Sequence, residues 1–188
     1  MGRKVFVSYK YSDGRDCKDR IMLKLNNQGN VYKGEKGFND LSSYASSTIK
    51  SYLSDMIYNS SVLLVVISPT VSQSDWVDWE IGYALRNTSR DGRASKRNGI
   101  VCVIQKDYYT GSSSWAYDYK GDVYEAYLPR RIVQNMQETY GGLSIFERPN
   151  RDYCVIVTES TFMSDPQKYI ERAYERSCYP YIYPIVIK

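Results

Sequence analysis

The chain contains no histidine, so any chemistry it performs must come from carboxylates, Lys, Tyr, Cys or the backbone. Ser-His-Asp and Cys-His nucleophilic sites, histidine-ligated zinc and imidazole acid-base catalysis are excluded. Among the carboxylates, Glu80 is singled out by its position. It lies in Trp76-Val77-Asp78-Trp79-Glu80-Ile81, a segment that Ser74 can cap as a helix running to about Asn87. With Trp76 at zero and about 100° per residue, Tyr83 falls at about −20°, Ala84 at about 80°, Val77 at about 100°, Ile81 at about 140° and Leu85 at about 180°. These residues form one apolar arc, and Glu80, at about 40°, falls inside it. Asp78 and Arg86 take the polar side. A carboxylate in such an arc is partly desolvated, which raises its pKa and costs several kcal/mol unless it is paired. It either anchors its helix through a backbone or lysine hydrogen bond, or it serves a ligand.

The other candidate groups narrow the chemistry further. Cys17, Cys102, Cys154 and Cys178 are widely spaced with no Cys-x-x-Cys pair, so neither a zinc knuckle nor a dithiol motif is written here and buried free thiols are expected. No metal site is expected. The longest aliphatic run, Val62 to Ile67, is far short of the roughly 20 residues of a membrane span. The first residues lack the apolar stretch of a signal peptide, and Phe6 stands where a myristoylation signal requires Ser or Thr. A soluble cytoplasmic protein is the expectation, with no membrane partner. The 25 basic and 21 acidic residues leave a charge of +4, too small to argue for nucleic acid.

The elements that must position Glu80 alternate in type. Val5-Phe6-Val7-Ser8 reads as a short buried strand, followed by a helix that opens at Ser12 to Asp16 and carries Cys17, Ile21, Met22 and Leu25. A weak extended stretch spans 31–40, and a helix follows with Ile49, Leu53, Met56 and Ile57 at helical spacing. Val62 to Ile67 is apolar on both faces, as a central parallel strand is. Ile100 to Ile104 and Tyr153 to Thr158 read as further strands, Pro129 opens a helix through Met136, and Asp165-Pro166 opens another. The tail from Tyr179 to Ile187 reads as an edge strand. This alternation predicts a doubly wound α/β sheet, whose ligands bind beyond the carboxyl ends of the strands, where strand order reverses. Loops Ser8 to Tyr11 and Ser68 to Gln73 open at that end, close to Glu80.

With these residues in place the sequence resembles the TIR and TIR-like domains. Val5-Phe6-Val7-Ser8-Tyr9 matches their first strand, Ile67-Ser68-Pro69 the end of their central strand, Trp76-Val77-Asp78-Trp79-Glu80-Ile81 their catalytic helix, and Phe38-Asn39-Asp40 their Phe-x-Asp. The resemblance covers residues 4 to 105 and is nearest in appearance to the TIR-like proteins of bacterial Thoeris antiphage systems. It implies a flavodoxin-like, TIR-like sheet within a single domain over 1–188. A Tyr-rich insertion at 106–128 and a C-terminal part at 129–188 elaborate it. It also implies cleavage of the nicotinamide N-glycosidic bond of NAD, with Glu80 catalytic and Tyr9, Lys10, Asp40 and Trp76 binding substrate. NAD is then a substrate and no cofactor is required. The released ADP-ribosyl group, linear or cyclised, is implied to activate a partner effector protein. Two other readings stand beside this one: a self-associating scaffold, and a nucleoside deoxyribosyltransferase, whose helix Glu80-Ile81-Gly82-Tyr83-Ala84 also resembles. The basic stretch between Arg86 and Arg97 reads as a solvated loop.

Overall fold

The computed structural model describes residues 2–27, 46–90, 92–140 and 152–187. The extended stretch expected at 31–40, with Asp40, lies outside them. Four strands form a parallel sheet in the order β1 (Val5–Ser8), β2 (Val62–Ile67), β5 (Gly99–Ile104) and β6 (Cys154–Thr158). Val5 pairs with Val62, Val62 with Gly99, and Ile100 with Cys154. Every residue of β2 and β5 is buried, which is why these strands read as unbroken aliphatic runs. Each must present an apolar side chain to both layers.

Strand alternation divides the core into those two layers. Phe6, Leu63, Val65 and Ile67 face α2 (Ser46–Tyr58), α3 (Asp75–Ala84) and α4 (Arg130–Tyr140), through Leu53, Ile57, Val77, Ile81, Ile132 and Met136. Val5, Val7, Leu64 and Val66 face α1 (Tyr11–Asn27), α5 (Glu159–Ser164) and α6 (Pro166–Cys178), through Cys17, Ile21, Leu25, Phe162, Ile170 and Ala173. The expected α/β architecture, a parallel sheet covered on both faces, is what forms. The described strands run across the sheet in chain order. The reversal of strand order expected beside β1 therefore does not fall among them.

Three local expectations are corrected. Helix α3 ends at Ala84 rather than near Asn87. The basic segment after it is a hairpin of β3 (Thr88–Arg90) and β4 (Arg93–Ser95). Gly92 makes the turn at φ 75°, and Asp91-Gly92 is a tight-hairpin signature that stops the helix by offering a local alternative. The tail beyond Tyr179 forms turns and irregular chain instead of an edge strand. Asn135 holds Val186 through its amide, donating to the carbonyl and accepting from the N–H, so a side chain takes the place of a ladder. Helix α5 follows β6 directly, capped by Thr158, whose hydroxyl accepts from the Thr161 N–H.

Candidate active site

Ser74 caps α3 by accepting from the Val77 N–H at 3.3 Å. The helix then buries Val77, Glu80, Ile81 and Ala84. Trp76 was expected inside the apolar arc, but it is 39% exposed. It sits in the first turn at the rim, edge-on to Trp79 with ring centroids 6.3 Å apart. The buried arc is therefore rotated toward Glu80, which becomes more interior than the helical wheel implied and is 7% exposed.

At the carboxyl end of β1, Ser8 is 1% exposed and lies on the α3 face by strand parity with Phe6. Its hydroxyl donates to Glu80 Oε2. Tyr9, one residue on, packs on the α1 face of the sheet. Its ring lies near Gly14, with Lys18 Nζ 5.2 Å from its centroid. Lys10 Nζ donates to the Thr70 carbonyl at 3.1 Å. Of the expected site residues, then, Glu80 is reached from β1 by Ser8, while Lys10 ties the β1 loop to the β2 loop. Trp76 stands at the outer rim of the helix, and Asp40 is outside the described residues. A cavity of about 220 Å³ beside Trp76 and Trp79 is also lined by Ser46, Lys50 and Asp75. Lys50 Nζ is 5.8 Å from each indole ring.

Two residues that sequence reasoning did not single out complete the arrangement. One is Ser8, read only as part of a strand motif. The other is Asp13, in the first turn of α1. Its Oδ1 accepts from Ser68 Oγ at 2.9 Å, and its Oδ2 accepts from the Thr70 N–H at 3.0 Å and from Thr70 Oγ1 at 2.7 Å. With Lys10 on the carbonyl, Thr70 is gripped at its N–H, hydroxyl and C=O. The loop leading into α3 is thereby fixed to α1, and Glu80 is positioned from both ends of the β1–α1 connection.

On the other face, Glu159 is 2% exposed. It takes the Arg20 guanidinium in a fork at 2.6 and 2.9 Å and the Lys106 N–H at 2.9 Å. Burial opposes its ionisation, but Arg20 and the backbone N–H outweigh burial and hold its pKa below the ordinary range. Among the described residues no group of three or more Cys, Asp or Glu is placed to hold a metal ion. No helix among them is long and apolar enough to cross a membrane.

The parallel α/β sheet with flanking helices is consistent with a TIR-like domain. The family model for the TIR-like domain of the Thoeris protein ThsB matches residues 6–108, more than half of the chain, and the chain belongs to this family. The match contains Ser8, Lys10, Asp13, Thr70, Trp76 and Glu80. The Tyr-rich segment beyond 108 and the C-terminal part lie outside it.

Proposed function

We propose that the chain cleaves the nicotinamide N-glycosidic bond of NAD and releases an ADP-ribosyl product, linear or cyclised, that signals to an effector protein in cytoplasmic antiphage defence. The observation that carries this reading is the buried Glu80 carboxylate, oriented by the Ser8 hydroxyl at the carboxyl end of β1. When the C1′–N bond breaks, both electrons go to the ring nitrogen. Nicotinamide leaves neutral, and positive charge develops on the ribose as an oxocarbenium ion. A carboxylate held in a low-dielectric site stabilises that charge where the interaction is strongest. Water, or a nucleophile of the same ADP-ribosyl group, then attacks C1′ and loses its proton to solvent. No acid has to protonate the leaving group, so a chain without histidine is adequate to the reaction.

The test is incubation with NAD and, in parallel, with deoxyadenosine, followed by product chromatography, on the unmutated protein and on Glu80→Gln. Release of nicotinamide that depends on Glu80 supports the reading. Turnover of deoxyadenosine alone, or unaltered NAD cleavage by folded Glu80→Gln, overturns it.

A further inference from the structure

Away from Glu80, a cavity of about 560 Å³ opens beyond the carboxyl ends of β2 and β5, where Pro69 and Gln105 line it. That volume is within the range of roughly 300–1,000 Å³ typical of small-ligand sites. One wall is aromatic. Trp115 and Tyr127 meet edge to face with centroids 5.0 Å apart, and Trp115 is held by donating its indole N–H to the Gln105 carbonyl at 3.0 Å. Tyr108, 88% exposed, stands at the mouth.

The charge around this wall is acidic, although the chain as a whole is basic. Asp13, Asp16 and Asp107 line the cavity against Arg20 and Lys106. The Arg20 charge is already taken by Glu159 in the fork. Asp13 is bonded only to neutral donors, the Ser68 and Thr70 groups. Asp107 accepts from the Tyr109 and Thr110 N–H groups, which hold it ionised without neutralising it. Asp16 is exposed on α1 and makes no ion pair among the described residues. Asp16 attracts Arg20 without pairing with it, so one basic group, Lys106, is left against three carboxylates that no ion pair neutralises. A phosphate-bearing ligand is repelled by that balance, whereas a flat cation gains from the carboxylates and from the ring faces together.

We infer that this cavity binds a small planar organic cation, of the N-alkylated nitrogen-heterocycle class, seated against Trp115 and Tyr127 and neutralised by Asp16. The inference goes beyond the reading of Glu80 and does not depend on it. It is tested on Glu80→Gln protein, so that turnover does not intervene, with the 1-methylnicotinamide cation as probe and neutral nicotinamide as its uncharged counterpart. Binding is followed by calorimetry and by tryptophan fluorescence. The cation should bind in the millimolar range or tighter and at least several-fold more tightly than the neutral amide. Asp16→Asn and Trp115→Leu should each weaken it by about 3- to 10-fold, and Lys106→Ala should tighten it. Asp16 is exposed and serves as the variant that keeps its fold if Trp115→Leu does not. Equal binding of the neutral amide, absence of cation binding at millimolar concentration, an unaltered affinity in Asp16→Asn, or a loss of affinity in Lys106→Ala would each overturn the inference. The last outcome would instead mark an anion site. The Glu80 reading stands or falls separately, on NAD cleavage by the unmutated protein.

Discussion

The Ser8 hydroxyl and the Glu80 carboxylate meet across 72 positions of sequence, in the buried space where β1 ends against α3. Ser8→Ala removes the donor and leaves the carboxylate with one partner fewer. The expected cost is about 1–3 kcal/mol of stability, read from urea unfolding. NAD turnover should fall by roughly tenfold as the carboxylate loses its fixed orientation. A variant as stable and as active as the parent would show that the pair is incidental.

Glu80→Gln separates a catalytic carboxylate from a structural one. The amide keeps the shape and can still accept from Ser8, but it carries no charge. Turnover is expected to drop by on the order of 10²-fold or more, with the melting temperature equal or higher because a buried charge is gone. A structural role gives the reverse pairing, a lower melting temperature with activity lost only in proportion to folded protein.

Glu159 makes stability depend on pH. Its pKa is lower in the folded protein than the ordinary 4.5, so the unfolded chain binds the extra proton first as pH falls. The contribution is fully present above about pH 4.5 and is lost as pH drops through the folded value. Glu159→Gln leaves Arg20 without its carboxylate and should cost about 2–3 kcal/mol at neutral pH, discounted from a fully buried pair because Arg20 is partly exposed. Unfolding midpoints measured between neutral and acid pH should converge for the two proteins at low pH.

Gly99 has no room for a side chain. A Cβ built there would lie 2.3 Å from the backbone carbonyl oxygen of Ala173 in α6. Backbone cannot swing aside as a flexible side chain does, so Gly99→Ala must push α6 off β5. About 2–4 kcal/mol of destabilisation is expected. A thermal melt within a degree or two of the parent would contradict this packing.

The cysteines should react in two classes. Cys17, Cys102 and Cys154 are buried. Burial, reinforced by Glu159, pushes the Cys17 thiol up, and Cys154 is raised by its hydrogen bond with Cys102 and by burial. Cys178 is only partly covered. Mass spectrometry after brief alkylation of native protein should find Cys178 modified first, with the other three modified only on unfolding.

The parts of the fold that were legible in the sequence are those governed by one-dimensional pattern. β2 and β5 were readable because a strand covered on both faces leaves no polar position, and α3 and α6 because Ser74 and Asp165 are capping residues followed by helical spacing. Glu80 was readable as a carboxylate out of place. What escaped were pairings that only the third dimension creates. Nothing near Asp13 in the sequence points to Thr70, and nothing near Arg20 points to Glu159. The rotation of the α3 arc away from Trp76 follows from how the helix packs, which buries Val77, Glu80, Ile81 and Ala84 and leaves Trp76 edge-on to Trp79 at the rim. The hairpin after α3 is a different case, since Asp91-Gly92 is a tight-hairpin signature legible in the sequence itself.

The parallel register of β1 with β2 has a consequence for how the chain is made. Val5 must find Val62, nearly sixty positions later, with no nearer strand among the described residues to pair with. At the pace of synthesis, about 5–20 residues per second, the first strand leaves the ribosome and waits roughly 3–12 s for its neighbour. During that interval Val5-Phe6-Val7 is an unpaired apolar edge, and closing so long a loop makes the pairing intrinsically slow. One aggregation-exposed interval of the nascent chain therefore falls before β2 emerges. The same pairing that brings Ser8 to Glu80 is the one that ends it.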